Sequence, residues 1–261
     1  MTDEPIPAAT VLLLRDAPAL EVLMVERHAD IGFAGGAIVF PGGRVDPGDN
    51  DPHWATRASG LEPAIASAQV AAIREAFEET GILVAREVKR GSAGPLIDGA
   101  RAAALHSWRG AVEEDDSRFL AMIREENLAL ACDQLCLFAH WIAPPGLHRR
   151  FDTMFFAAHC PPGQEAIEDG GEATEVLWIA PLEAIEARRR GDRKVIFPTA
   201  RNLELLGASG DAESVLHAAR ERRIAPVTPV LEMRGGVAWL TIPKNLGYPV
   251  TEEILDPTLR G

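Results

Sequence analysis

Cationic residues are scarce in this chain: 26 Lys and Arg stand against 39 Asp and Glu, a formal charge of −13 at pH 7. That balance argues against DNA or RNA as a partner, because polyanion binding requires clustered Lys and Arg to displace counterions. A small phosphorylated ligand is still compatible, since a metal ion can supply positive charge locally. Cysteine is nearly absent. Cys132, Cys136 and Cys160 are odd in number and show no CxxC spacing, so neither a disulfide framework nor a zinc site is expected, and the thiols read as buried. The histidines are scattered without HExxH or a close pair. No apolar run approaches the roughly 20 residues that span a bilayer, and the start MTDEPIPAAT lacks a basic segment leading into an apolar run. The expectation is a cytoplasmic protein with no membrane partner. The single tyrosine, Tyr248, is assigned no role, and Trp54, Trp108, Trp141, Trp178 and Trp239 are expected in cores or interfaces.

What is present in quantity is apolar: 47% hydrophobic and 25% charged residues are the balance of a globular chain able to fill a core. No Pro/Gly/Ser-rich stretch separates two cores, so residues 1–261 read as a single domain. Ala9–Leu14 and Leu20–Glu26 are predicted strands, followed by a glycine-rich loop through Pro41-Gly42-Gly43. Ala64–Thr80 is a predicted helix with Gly81 as its C-cap, and Ile82–Ala85 a short strand. Further helices are expected over Ala100–Val112 and over Ser117–Glu126 with Asp116 as N-cap. Leu135–Ile142, Asp152–His159, Glu175–Ile179 and Val237–Ile242 read as strands, and Leu182–Arg190, Thr199–Leu206 and Ala212–Arg222 as helices. This irregular alternation predicts an α+β fold, an α/β/α sandwich.

Chemistry concentrates in Arg74-Glu75-Ala76-Phe77-Glu78-Glu79-Thr80-Gly81-Ile82. Its three glutamates fall at i, i+3 and i+4 of the predicted helix, which puts the carboxylates on one face, opposite a stripe of Val70, Ile73 and Phe77. Like charges this close repel unless something positive intervenes, and a hard divalent cation with oxygen ligands would resolve the repulsion. A solvated acidic face is the bland alternative. Against it stands a conjunction of signals: Pro41-Gly42-Gly43 upstream, Arg74 before the first glutamate and Gly81-Ile82 after the last.

That conjunction resembles the Nudix hydrolases, whose box runs G-x5-E-x7-R-E-U-x-E-E-x-G-U, with U aliphatic. Gly43 starts the box here and Arg74 to Ile82 ends it. Asp49 replaces the first glutamate, and 24 residues rather than 7 separate it from Arg74, an insertion of 17. Because Asn50 to Pro63 is polar and turn-like, the extra residues, near 50–66, are expected to loop out over the surface. A second, helical insertion is expected near 98–128. Gly32-Phe33 with Gly36-Ala37 and Val39-Phe40, the interrupted box, and Arg149-Arg150-Phe151-Asp152-Thr153-Met154-Phe155-Phe156 look like the peroxisomal coenzyme A diphosphatase branch. The strict signature of some coenzyme A pyrophosphatases places an arginine where this chain has Gly32.

The resemblance implies a Nudix fold and hydrolysis of a diphosphate bond with Mg2+ or Mn2+. It assigns Glu75, Glu78 and Glu79 as metal ligands, with a backbone carbonyl of Gly43. Arg74 would orient a glutamate by ion pairing, and Glu75, Glu78 and Glu172 are candidates for acid–base work. Arg149, Arg150 and Arg27 are candidate contacts to substrate phosphates. The implied partner is a small nucleotide, either coenzyme A or an acyl-CoA, or instead ADP-ribose or a dinucleotide. A homodimer is compatible with that reading. A Nudix-fold ligand sensor without turnover is the alternative of another class, one whose members typically lose box glutamates that this chain keeps.

Overall fold

Strand β1 (Ile6–Asp16) shows how the fold is layered: Ala9, Val11 and Leu13 bury on one side of it, Leu12 and Leu14 on the other. A strand apolar on both faces belongs at the centre of a sheet covered twice. The computed structural model, which describes residues 4–28, 34–89, 92–146, 149–168, 171 and 173–255, has that arrangement. β1 is followed by β2 (Leu20–Arg27), β3 (Ile38–Val39), β4 (Gly42–Arg44) and β5 (Ala58–Ser59). Then come α1 (Ala66–Thr80), β6 (Ala85–Lys89), β7 (Ser92–Leu96), α2 (Gly99–Ala103), α3 (Arg109–Glu114), α4 (Ser117–Glu125) and β8 (Leu128–Ala131). The second half holds β9 (Cys136–Ile142), β10 (Phe151–His159), β11 (Ala173–Ile179), α5 (Pro181–Arg190), α6 (Phe197–Leu206) and α7 (Ala212–Glu221). Short strands β12 (Pro226–Val227), β13 (Val230–Arg234), β14 (Val237–Thr241) and β15 (Glu252–Ile254) close the chain.

The central mixed sheet runs β11-β2-β1-β10-β9-β12, with β3 attached to β2 and β4 to β1. One face carries α1 through Val70, Ile73, Ala76 and Phe77, and above it Trp54, Phe119 and Ile123 from the two inserted regions. The other face carries α5, α6 and α7 through Ala184, Leu203, Leu206 and Leu216. This is the α/β/α sandwich expected of an α+β chain. Tyr248, unassigned from sequence, seals the second face: its hydroxyl accepts from Trp141 Nε1 at 2.9 Å and donates to Asn202 Oδ1 at 3.2 Å. Among the described residues no helix is long and apolar enough to cross a membrane.

Three local expectations are corrected. Ile82 to Val84 form no strand of their own: Val84 O accepts from Ala131 N, and Gln164 serves Leu83, its side chain accepting from Leu83 N and donating to Leu83 O. Ala100–Val112 is not one helix: i→i+3 bonds at Leu105 and Trp108 tighten the chain into a 3-10 turn between α2 and α3. Asp116 does not cap α4 with its side chain. Asp115 Oδ1 accepts from Ser117 N there, while Asp116 Oδ2 takes the amide of Gly48, 68 residues away.

The extra residues of the box lie mostly exposed over the surface, as expected, but they are tethered to the body of the fold. Trp54 is buried, stacks at 5.5 Å on Phe119 and donates to the Gly48 carbonyl; β5 pairs in parallel with β8. Polar composition suggested a surface excursion, but one tryptophan and two strand residues were enough to join the box insertion to the helical one. The thiols behave as expected for Cys132, which is buried and pushed up to about 12, whereas Cys136 and Cys160 are half-buried.

Candidate active site

β1 and β2 pair only where Leu14 to Asp16 face Leu20 to Val22; beyond that they diverge. The wedge is filled by the glycine loop, β3 bonding to β2 and β4 to β1, with Gly43 opposite Ala9 and Gly42 opposite Thr10. Side chains are excluded there by contact. A Cβ on Gly42 would lie 2.5 Å from the Ala9 carbonyl oxygen, and one on Gly43 would lie 2.5 Å from Glu75 Oε1. The two glycines thus let α1 press a carboxylate directly onto the strand. Gly81, in the left-handed region at φ 73°, ends α1 just after the last glutamate.

At the centre of the site is Arg74, 2% exposed. Its Nε and Nη2 hold Asp49 Oδ1 and Oδ2 at 2.9 Å each, its Nη1 donates to Glu75 Oε1 at 2.9 Å and Glu78 Oε1 at 3.0 Å, and Nη2 also reaches the Arg44 carbonyl. Glu79, also buried, accepts the Gly42 amide at 3.0 Å. Asp49, which stands in the sequence where the box has its first glutamate, is thus joined to the box helix through Arg74.

Asp46, Asp49, Glu75 and Glu78 around one guanidinium leave an excess of negative charge in a desolvated place. Burial, which disfavours the ionised form, pushes Glu75 up to about 8 and Glu78 up to about 7, against the pull of Arg74; neighbouring carboxylates add to the rise. Asp49 is raised by burial too, while the same partners drive Arg74 upward. Among the described residues no three acidic, His or Cys side chains converge as a finished metal cage. Glu75 and Glu78 lean on Arg74, and Glu79 on the loop, so the three ligands expected from sequence are neighbours here without sharing a point. The donor set still fits a hard cation: all oxygen, anionic in excess, and carrying carboxylates whose ionised form lacks enough positive charge.

Arg27, Arg149 and Arg150 stand at the ends of the strands around the wedge. Arg27 ends β2, its amide donating to the Ala37 carbonyl, and pairs across to Ala173. Arg149 and Arg150 precede β10; Arg150 Nε is committed to the Ala143 carbonyl at 3.0 Å, so part of that guanidinium serves a turn. Glu172, Gly32 and Phe33 lie outside the described residues. One residue escaped the sequence reading. Arg109 of α3, buried, donates through Nε and Nη2 to the Glu78 carbonyl at 3.0 and 2.8 Å and through Nη1 to the Glu168 carbonyl at 3.3 Å. It ties the last turn of α1 to the backbone at Glu168. No motif marks it, because its partners are backbone atoms 31 and 59 residues away.

A glutamate-bearing helix C-capped by glycine, packed on a glycine loop wedged into a mixed sheet, defines the Nudix class of protein, and the chain belongs to the Nudix family. It matches the family described as the NUDT19 Nudix domain over residues 56–204, more than half its length, and the NUDIX domain over residues 4–98. The Nudix hydrolase of Alicyclobacillus acidocaldarius superposes with a TM-score of 0.68 at 27% identity, covering 85% of this chain and 99% of that one. Proteins named acyl-coenzyme A diphosphatase NUDT19 are similar in sequence. The Gallus gallus protein is 29% identical over 235 residues, covering 69% of this chain and 62% of its own length. The Xenopus laevis protein is 27% identical over 206 residues, covering 64% and 54%. The chain thus spans little more than half the length of these relatives.

Proposed function

We propose that this protein hydrolyses the diphosphate of coenzyme A or an acyl-CoA, releasing 3′,5′-ADP and (acyl)phosphopantetheine, with Mg2+ or Mn2+ as cofactor. The observation that carries the reading is the retention of Glu75, Glu78 and Glu79 against Gly42 and Gly43, in a chain similar to acyl-coenzyme A diphosphatases. A non-catalytic sensor has no need to keep three carboxylates, Glu79 buried and Glu75 and Glu78 largely so, at such electrostatic cost.

Glu75, Glu78, Glu79 and the Gly43 carbonyl would hold the cation, which supplies Lewis-acid charge to the diphosphate oxygens and acidifies a water. Everything else falls to the chain. Arg74 orients Glu75 and Glu78 through one shared nitrogen and offsets their mutual repulsion. Glu75 and Glu78, both raised above the ordinary carboxylate range in the metal-free protein, are the candidate proton acceptors once ionised. The water oxygen bonds to phosphorus, its proton passes to a glutamate, and the bridging oxygen leaves with the departing phosphate. Arg27, Arg149 and Arg150 would serve as phosphate contacts, and Glu172 as a further acid or base.

The test is product analysis. With acyl-CoA and magnesium, chromatography should show 3′,5′-ADP and an acyl-phosphopantetheine, with no free CoA or fatty acid. Free CoA would instead indicate thioester hydrolysis, and rapid cleavage of ADP-ribose beside inert CoA would move the substrate elsewhere.

A further inference from the structure

Most of the exposed large apolar side chains among the described residues belong to the small sheet of β13, β14 and β15: Val230, Leu231, Met233, Val237 and Ile254. Single exposed apolar residues are ordinary, but a group on one element marks an interaction surface. β14 pairs on one side of β13, and no strand among the described residues pairs on the other. An unpaired apolar edge is a template for another strand. Gly235 and Gly236, at φ 57° and 84°, close a two-residue hairpin in which Arg234 and Val237 share the ladder bonds. Glu232 is therefore bonded inward as well, while Leu231 and Met233 turn their N–H and C=O groups to the free edge. Met233 is 66% exposed. The sheet itself is held to the body, since Glu253 of β15 accepts from Arg188 Nη1 and Nη2 at 3.0 and 2.7 Å and Leu240 packs against the core under α5, α6 and α7. The edge is thus presented on a fixed support.

We propose that β13 is a self-association edge, on which a second copy of this chain lays its own β13 antiparallel with Met233 on the two-fold axis. Side chains alternate along a strand, so facing residues share a sheet face only when the register moves in steps of two. Paired about Met233, Glu232 of each copy faces Arg234 of the other, and Leu231 lies over the other copy's turn at Gly235. Paired about Glu232, two glutamates would stand directly opposite each other. Paired about Leu231, Met233 would face Pro229, which has no N–H for the ladder. The first register unites opposite charges and keeps the donors. Glu232 and Arg234 also take non-hydrogen-bonded positions towards the incoming strand, where facing side chains approach most closely. Arg234 Nη2 already bonds Glu232 of its own chain at 2.7 Å, so the facing pairs complete a cluster of two cations and two anions. A contact of this kind is self-complementary and closes as a dimer.

Sedimentation of the full chain at rising concentration should show a reversible passage from 28.1 kDa to twice that mass, weakened by salt as the facing charges are screened. Met233→Lys places two ammonium groups on the axis and should raise the dissociation constant by at least about tenfold. Glu232→Arg and Arg234→Glu, each alone, set like charges opposite one another and should leave the chain monomeric. Mixed in equal amounts, the two variants present opposite charges to each other and should form a heterodimer. That rescue separates a pairing defect from a folding defect, as does a wild-type thermal melt of Met233→Lys. Three results would each overturn the proposal: a wild-type chain that stays at 28.1 kDa up to its solubility limit, a dimer indifferent to Met233→Lys, or a mixture that fails to associate while both variants melt as wild type does.

Discussion

Arg74 and Asp49 meet through two parallel hydrogen bonds of 2.9 Å, buried, although 24 residues stand between them in the chain. A bidentate guanidinium–carboxylate pair demands that its partners be placed to within a fraction of an ångström. The inserted residues therefore leave the two halves of the box in register.

Removing Arg74 strands Asp49, Glu75 and Glu78 as uncompensated charges in a desolvated pocket. Arg74→Ala should destabilise the fold by about 3–5 kcal/mol, the usual cost of breaking a buried ion pair from one side. Arg74→Lys keeps the charge but not the fork, so turnover should fall while much of the stability returns. Urea unfolding and steady-state kinetics on the two variants check this; equal behaviour of Lys and Ala would show that charge alone is insufficient.

Glu75 and Glu78 are raised to about 8 and about 7 from an ordinary 4.5. Between those values the folded chain binds more protons than the unfolded one, so metal-free stability should decline as pH rises from about 5 to 8. A cation that takes the place of those protons stabilises more where they have left. Thermal melts in chelator and in magnesium should diverge more at pH 8 than at pH 6. A metal-free Tm that climbs steadily over that range would contradict the origin given for the raised values. Glu75→Gln, neutral at every pH, should flatten the decline and cut turnover by about a hundredfold or more.

Trp54 ties the box insertion to Phe119 and to the Gly48 carbonyl. Trp54→Ala should cost about 3–5 kcal/mol, as for other buried aromatic truncations. Trimming Asp51 to Gly60 removes β5 as well and should abolish a cooperative melt, which differential scanning calorimetry would register.

Arg109 spends its guanidinium on the carbonyls of Glu78 and Glu168. Arg109→Lys should preserve most stability and lower kcat by about tenfold or more, with KM little changed, because it positions the glutamate turn and touches no substrate. A change in KM alone would place Arg109 at the substrate instead.

The strands of the central sheet and the box helix were legible because their signal is local. β1 alternates or runs apolar over adjacent residues, and α1 shows its stripe, its glycine cap and its glutamate spacing within one 15-residue window. The short strands β3, β4, β5 and β8 left no such trace: with two to four residues each, they exist only because partners far along the chain supply their hydrogen bonds. The same reason hid Arg109, Asp116 and Gln164, whose acceptors and donors are backbone groups chosen by tertiary contact.

From its sequence alone this chain was committed to an α/β/α sandwich and to a Nudix box with Glu75, Glu78 and Glu79 on one helix face. Helical spacing and glycine conformation are properties of neighbouring residues and need no distant partner. What only the tertiary structure decided is where those carboxylates rest: Glu75 against Gly43, Glu78 on Arg74 and Glu79 on the Gly42 amide. Those relationships depend on strand register and on desolvation, and both arise from packing the whole chain rather than from any one window of it.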